Sequence, residues 1–168
     1  MKKMFLFTFA VFFITITATS QTIWKADPVH SKVIFSVSHM VISEVSGRFN
    51  DFEATIVQTK DDLSDSKLTA TIKTKSIDTD NEGRDKHLRS ADFFDVEKYP
   101  EVTFTSKSFE KTGKDTYKIT GDLTMHGATK PVVLETKFNG TMNDPWGNTK
   151  AGFKAETQLA DGLFKSIG

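Results

Sequence analysis

The segment from Gly83 to Phe94, GRDKHLRSADFF, combines three basic residues, two acids, a histidine and a terminal pair of phenylalanines. Such a group could be an active site, or a helix that ion pairs tie down. On a helix, Asp85 and His87 are two residues apart and do not face each other, so they cannot act as an orienting carboxylate and its base. Asp85 and Arg89 are four apart and can pair. No motif places a nucleophile nearby, so the pattern favours a structural role over catalysis.

The sequence also gives little support for metal or thiol chemistry. The four histidines (His30, His39, His87 and His126) are scattered, with no His-x-x-x-His on a helix and no His-x-His on a strand. The chain has no cysteine, which excludes thiol catalysis, cysteine zinc ligands and disulfides. Paired carboxylates meet in space rather than in sequence, and no pair is nominated by its position. We therefore predict no catalytic residue, no metal site and no cofactor.

The chain around this segment alternates apolar and polar residues, which is the pattern of strands with one buried face. Examples are KVIFSVSH, SKLTATIKTKSI, EVTFTSKSFE, TYKITGDLTMHG, KPVVLETKFNG and AGFKAETQL. In GRFNDFEATIV the step from Phe49 to Phe52 is three residues, which predicts a bulge near Asn50 and Asp51. Turn-forming stretches separate the strands. We predict one all-β domain, an antiparallel sheet closed into a barrel or a sandwich.

From Asn81 to Phe94 the alternation stops, and apolar residues recur at helical spacing. Gly83 on one side and Tyr99-Pro100 on the other act as chain breakers. The segment is predicted to form a short helix between two strands. Its apolar Phe93-Phe94 end would cap one mouth of the barrel as a lid.

The inward faces of the predicted strands mix aromatic rings such as Phe52 and Phe104 with small residues such as Ala54 and Ala70. A solid core normally uses more Leu, Ile and Val to fill space. A barrel of about eight strands can either fill with side chains or hold one slender ligand. The pattern therefore permits a lined cavity and equally permits a packed core. A histidine such as His39, on an apolar strand face, is more often a core group than a ligand.

The first twenty residues predict export. Lys2 and Lys3 precede an uncharged apolar run, and Ala18-Thr19-Ser20 supplies small residues before Gln21. This pattern is typical of a signal peptide over residues 1–20 that is cleaved near Ser20-Gln21; a retained anchor is the alternative. We expect a periplasmic or secreted protein with its domain at residues 21–168. Without the two lysines the chain has 20 basic and 22 acidic residues, a net charge of −2, which argues against a nucleic-acid partner.

Five motifs follow one another along most of the chain, from about Trp24 to Glu156. They are WKADPVHSKVIFSVSHM, GRFNDFEATI, SIDTDNEGRDKHLRSADFFDVEKYPEVTFTS, ITGDLTMHGATKPVVLE and DPWGNTKAGFKAE. Together they resemble the YceI-like family. The resemblance implies an extended, lipocalin-like antiparallel β-barrel that bacteria export. Members bind a long isoprenoid chain, such as a polyprenyl or ubiquinone-type lipid, along an apolar tunnel.

Carried onto this chain, the resemblance implies a tunnel lined by inward-facing side chains. These are Val33, Phe35, Val37, His39, Phe49, Phe52, Ala54, Ile56, Leu68, Ala70, Ile72, Leu88, Phe93, Phe94, Phe104, Ile119, Leu123, Leu134 and Phe153. A cluster near one end would consist of Arg84, Asp85, His87 and Arg89. The cluster would either meet a ligand head group or fasten the lid through ion pairs of Asp27, His30 or Asp85. Fastening is the favoured interpretation.

The chain departs from the family pattern after about residue 156. There the family continues with an Arg-x-Asp-Phe-Gly pattern and one further strand, whereas this chain reads TQLADGLFKSIG and lacks the arginine. We expect a barrel without its final closing strand, through truncation or divergence. Such a barrel would expose strand edges unless another chain pairs with them, for example in a homodimer.

Three functions remain as hypotheses. The leading one is an exported carrier or scavenger of an isoprenoid lipid, which performs no chemistry and exchanges its lipid with a membrane or a membrane protein. The second is an enzyme that acts on a lipid or isoprenoid substrate through Arg84, Asp85 and His87. The third is a structural, stress-related exported protein whose core is filled by its own side chains.

Overall fold

A computed structural model describes residues 21–39 and 43–159, with side chains for residues 21–37 and 45–159. The described part contains ten strands, one α-helix and one 3-10 turn. The strands are β1 (Thr22–Lys25), β2 (Val33–His39), β3 (Ser43–Phe49), β4 (Phe52–Gln58), β5 (Lys67–Lys73), β6 (Ile77–Asp78), β7 (Glu101–Lys111), β8 (Thr116–Met125), β9 (Ala128–Asn143) and β10 (Thr149–Glu156). The 3-10 turn is Thr74–Ser76, and helix α1 is Glu82–Arg89.

The strands form a seven-stranded sheet in the order β1-β4-β5-β7-β8-β9-β10 and a three-stranded sheet in the order β2-β3-β6. All neighbouring strands are antiparallel. Chain continuity joins the sheets, because β3 leads into β4 and β5 leads through the 3-10 turn into β6. Asn50 and Asp51, the two residues between Phe49 and Phe52, lie opposite a segment of four residues, Lys73 to Ser76. The pairing is thus interrupted near Asn50 and Asp51, but the predicted bulge is wrong in its position, because the extra residues lie in the facing segment.

The sheet curls into a nearly closed barrel with one unsealed seam. Its edge strands are β1 and β10, and in the described part of the chain β10 pairs only with β9. Lys150 on β10 reaches Asp27, in the connection from β1 to β2, with Nζ and Oδ2 3.4 Å apart. The predicted all-β antiparallel barrel is confirmed. The predicted loss of a closing strand concerns residues after 156, most of which lie outside the described range, and it stays a prediction.

Strands β5, β7 and β8 lie away from the seam and form what we call the packed wall. Their buried apolar side chains form most of one cluster: Leu68, Phe104, Phe109, Tyr117 and Ile119, joined by Leu63 and Val132. Gly121 on β8 makes this packing possible, because a Cβ there would lie 2.5 Å from the ring of Phe104. Alternating apolar residues bury one face of each strand, so this wall holds the main hydrophobic core.

The connection from β4 to β5, residues 59–66, closes one end of the barrel, which we call the loop end. Leu63 is 3% exposed and packs in the core cluster. The hydroxyl of Tyr117 donates to the carbonyl oxygen of Asp62 at 2.9 Å. The backbone N–H of Asp65 donates to the carbonyl oxygen of Phe109 at 3.2 Å. Leu63 has a φ of 63°, in the left-handed region that leucine rarely adopts, so burial of its side chain offsets backbone strain.

Helix α1 lies at the opposite end, which we call the helix end. It begins because the side chain of Asn81 accepts a hydrogen bond from the N–H of Arg84 at 2.9 Å, an N-cap interaction. Glu82 and Asp85 lie in its first turn and complement the helix dipole. It ends at Ser90, whose hydroxyl donates to the carbonyl oxygen of His87 at 2.7 Å. The predicted short helix is therefore present, with eight residues.

Candidate ligand-binding interior

The side of the barrel next to the seam differs from the packed wall. We call β1, β4 and β10 the seam side. None of the residues in these three strands is buried, although Ala54, Ile56, Ala151 and Phe153 are half-buried. Ile56 and Phe153 pack against the core cluster from this side. The apolar interior is therefore closed at the packed wall and partly open to solvent along the seam.

Aromatic rings extend this apolar surface from the seam side onto β9. The rings of Phe138 and Phe153 lie on paired positions of β9 and β10, with centroids 5.1 Å apart. At the loop end the rings of Phe109 and Tyr117 meet edge-on at 5.4 Å. Burial raises the pKa of the Tyr117 phenol, so the group is a neutral hydrogen-bond donor. Rings supply a large contact area with few rotatable bonds, which suits an apolar ligand surface.

A second apolar group lies at the helix end, under α1 and the three-stranded sheet. The ring of Phe49 lies 5.6 Å from that of Phe35 and 5.8 Å from that of Phe94. Ile77 is fully buried here, and Val96 is 9% exposed. The Phe94 ring thus packs against β3 at this end of the barrel, and its role as a lid stays a prediction.

The charged cluster on α1 fastens the helix to the segment from Lys75 to Thr79. The Asp85 carboxylate, 6% exposed as a residue, accepts from the backbone N–H of Thr79 at 2.9 Å and also from its hydroxyl. Arg84 donates to the hydroxyl and carbonyl oxygens of Thr79, both at 2.8 Å. Arg89 donates to the carbonyl oxygens of Lys75, at 2.9 Å, and Ile77. These bonds hold the helix against β6 and the 3-10 turn.

Two predictions about ion pairs are wrong. Asp85 and Arg89, both in the described part of the chain, form no ion pair with each other. Each side chain instead hydrogen-bonds backbone groups of residues 75–79. Asp27 and His30 do not fasten the lid. Their side chains bond each other at 3.0 Å, and Asp27 also contacts Lys150 across the seam. The hydrogen bond from His30 lowers the pKa of the Asp27 carboxyl.

His87 separates from the rest of the cluster. It is exposed, its Nε2 lies 3.6 Å from an oxygen of Asp92, and its ring meets the edge of the Phe93 ring at 4.8 Å. Phe93 therefore packs on the outer side of the helix, while Phe94 faces Phe49. The structure does not bring His87 together with Asp85 as a base and its partner.

The structure distributes the predicted lining residues over three settings. Buried are Phe49, Leu68, Phe104 and Ile119; half-buried are Val33, Phe35, Phe52, Ala54, Ile56, Ala70, Ile72, Leu88, Phe93, Phe94, Leu123, Leu134 and Phe153. Val37 is 56% exposed, toward the far end of the β2–β3 hairpin. The side chain of His39 lies outside the described ranges. Whether these residues contact a ligand stays a prediction.

The same alternation that places Ile119 and Leu134 on inward faces also places Tyr117 on β8 and Phe138 on β9 there, although neither was among the predicted lining residues. Tyr117 is in the core cluster, and Phe138 packs against it. Sequence reasoning missed one residue of this cluster entirely. Leu63 could not be found in this way, because it lies in an irregular loop and is buried only through long-range packing.

The surface of the described part includes the following two open cavities. One, of about 470 Å³, lies where β10 ends beside β9 and is lined by residues 131–133, Glu135 and residues 156–158. The other, of about 270 Å³, lies at the loop end and is lined by residues 65–67 and 106–110. Within the described ranges, no group of three His, Asp or Glu side chains is placed to hold a metal ion. No α-helix there is long and apolar enough to cross a bilayer.

The turn between β8 and β9 carries a further polar group. Both ring nitrogens of His126 are buried and have no hydrogen-bond partner among the described residues. The imidazole packs against the ring of Tyr99, with centroids 4.4 Å apart. Sequence reasoning treated this histidine only as one of four scattered residues.

The barrel and its fastened helix are similar to those of known proteins. The family model described as the YceI-like domain matches residues 24–166. The chain belongs to the YceI-like family. The motif-based resemblance is therefore confirmed.

Relatives of known sequence and structure agree with this family membership. A protein named Protein YceI from Salmonella agona is 44% identical over 162 residues, covering 95% of this chain and 84% of the relative. The crystal structure of a Campylobacter jejuni YCEI protein is 39% identical, with a TM-score of 0.68, and the match covers 83% of this chain and 82% of that one. The structure of Burkholderia cenocepacia BcnA gives a TM-score of 0.72 at 25% identity, over 84% of each chain.

Proposed function

We propose that this YceI-like protein is an exported carrier that holds a long-chain isoprenoid lipid in its barrel and performs no chemistry. The observation that carries the proposal is the difference between the two sides of the barrel. The packed wall buries large side chains such as Leu68, Phe104 and Ile119, whereas β1, β4 and β10 bury none of their residues. Ile56 and Phe153 on the seam side are only half-buried. An apolar chain lying along that surface would remove it from water.

The energetics of such a complex are favourable. A long prenyl chain is insoluble, and burial of apolar area stabilises by roughly 25 cal/mol per Å². A ligand that buries several hundred Å² gains on the order of 10 kcal/mol before the costs of ordering. The family resemblance supports an isoprenoid as the apolar chain, and no reacting group is needed for this function.

The experiment is an organic extraction of the protein purified from the bacterial cell envelope, followed by mass spectrometry. A bound polyprenyl or quinone-type lipid at near-stoichiometric amount supports the carrier. A clean extract, together with failure to take up added geranylgeraniol, supports the filled-core structural protein instead. Chemical change of an added lipid over time would support the enzyme.

Export is part of the same proposal, because a periplasmic carrier must leave the cytoplasm. The support is the charged start, apolar run and small residues of positions 1–20. N-terminal sequencing of protein recovered from the cell envelope is expected to begin at Gln21. A chain that begins at Met1 and sediments with membranes would instead indicate a retained anchor.

A further inference from the structure

Buried side-chain polar atoms that lack partners are few among the described residues. In the part of the chain that the structure describes, they are Ser66 Oγ, His126 Nδ1 and His126 Nε2. Native structures satisfy nearly all such groups, so each exception needs an explanation. Ser66 is a single hydroxyl at the loop end, whereas His126 leaves both of its ring nitrogens unused at the opposite end.

The position of the His126 ring is set by its neighbours rather than by its own hydrogen bonds. Its backbone φ is 50°, in the left-handed region, and Gly127 follows with a φ of 74°. The ring packs on Tyr99, and the carbonyl oxygen of Tyr99 accepts from the hydroxyl of Thr74 at 2.8 Å. Thr74 is 1% exposed, so this support is anchored in the protein interior. The imidazole is therefore fixed in place while its hydrogen-bonding capacity remains free.

The turn that carries His126 lies at the helix end of the barrel, where Met125 pairs with Ala128. Leu123, two residues earlier on the same strand face as Met125, is half-buried against the core cluster. The loop end is closed by the buried Leu63. An apolar chain lying along the interior would run between the loop end and the helix end, and at the helix end His126 offers unused polar atoms.

The charged cluster of α1 is poorly suited to receive the polar end of such a chain. Arg84 and Arg89 already donate to Thr79, Lys75 and Ile77, and the buried Asp85 carboxylate already accepts from Thr79. His126 is the polar side chain at this end with unused buried atoms in the described part.

We propose that His126 hydrogen-bonds the oxygen of the bound lipid's head group, and that the head group is an alcohol or a carbonyl. This inference rests on the proposed carrier function. Neutral imidazole has one N–H donor and one acceptor nitrogen. A hydroxyl can bond either nitrogen, and a carbonyl oxygen can accept from the N–H. The bond gives the head group a partner away from water, where hydrogen bonds are strong and unpaired groups are costly.

The test compares two probes that differ in one group. Geranylgeraniol and the hydrocarbon of the same chain without its hydroxyl are titrated into delipidated protein. The wild type is expected to prefer the alcohol roughly three- to tenfold, the factor for one net hydrogen bond. H126F is expected to bind both probes with less than about a twofold difference. H87F removes an exposed imidazole from α1 and is the matched control, with the preference of the wild type.

A second measurement needs no variant, and it decides the case if H126F does not fold. Imidazole ¹⁵N resonances of the wild type are recorded with and without geranylgeraniol. Those of His126 are expected to move on binding, and those of His87 are expected to stay. Three outcomes would overturn the inference. H126F could fold and keep the preference for the alcohol, or H87F could lose that preference instead. The His126 resonances could also stay unmoved in the lipid-bound protein. If the wild type binds neither probe, the carrier function itself fails.

Discussion

The packed wall and the seam side are built from the same kinds of residues, but they differ in burial. Ile119 lies on β8 of the packed wall, and its direct cross-strand partner Leu134 lies on β9, the strand that joins this wall to β10 of the seam side. Ile119 is 1% exposed, yet Leu134 is half-buried. The difference comes from what lies behind each side chain. Ile119 has the loop end and the facing strands around it, whereas Leu134 has the open seam nearby. Apolar composition alone therefore does not decide whether a barrel surface is a core or a binding surface.

The strongest test of this comparison truncates both members of the pair. Ile119→Ala is expected to lower the free energy of unfolding by about 3 kcal/mol, because it leaves a cavity in a closed core. Leu134→Ala is expected to cost about 1 kcal/mol, because solvent already reaches that site. Urea unfolding of the chain from Gln21 measures both values. Equal losses would show that the two sides are packed alike.

The next largest effect concerns the attachment of the helix. Asp85→Ala removes the acceptor of two hydrogen bonds from Thr79 and leaves a buried N–H without a partner. We expect a loss of about 2 kcal/mol in unfolding free energy. His87→Ala, at an exposed position on the same helix, is the control and should change stability by less than about 0.5 kcal/mol. If His87→Ala is the more destabilising variant, the fastening role belongs elsewhere.

Filling the interior from the seam side distinguishes a hollow barrel from a filled one. Ala54 on β4 is half-buried and pairs with Ala70. In a hollow barrel, Ala54→Trp should reduce the lipid recovered by extraction about fivefold, which corresponds to about 1 kcal/mol of binding free energy. Its melting temperature should change little. In a filled barrel the same change would overpack the core and cost about 1–3 kcal/mol of stability. Ala91→Trp, at an exposed position between α1 and β7, is the matched control.

The smallest expected effect lies at the seam itself. The hydrogen bond from His30 depresses the pKa of Asp27 below its ordinary value of 3.8. A carboxylate with a depressed pKa stabilises the folded state above its unfolded pKa, and that contribution disappears as the pH falls through the folded pKa. At pH 6 the melting temperature of the wild type should therefore exceed that of Asp27→Asn by up to about 2 °C. The two melting temperatures should converge below pH 3.8. A difference that grows on acidification would contradict this assignment.

Much of the fold could be predicted from local signals. The alternation in SKLTATIKTK and TYKITGDL places Leu68 and Ile119 on buried faces, as observed. The end of that alternation at Asn81 predicts a short helix close to where it is found. Both signals act over a few residues, so a single sequence contains them.

The partners of the charged cluster could not be predicted in the same way. Spacing of four residues made an Asp85–Arg89 pair geometrically possible, but in the fold each side chain instead bonds backbone groups of another segment. Those groups come from residues 75–79, whose position depends on the 3-10 turn that connects β5 to β6. A buried N–H or carbonyl must be satisfied, and this requirement outweighed an exposed ion pair.

The sequence by itself determined the family, the strand faces, the short helix and the absence of disulfides, because these follow from residue types and short-range periodicity. Only the tertiary structure decided which apolar residues are core and which remain open to a ligand. It alone placed Leu63 in the core and left the nitrogens of His126 buried without partners. The physical reason is that burial depends on how distant strands pack around a residue, and no short stretch of sequence contains that information.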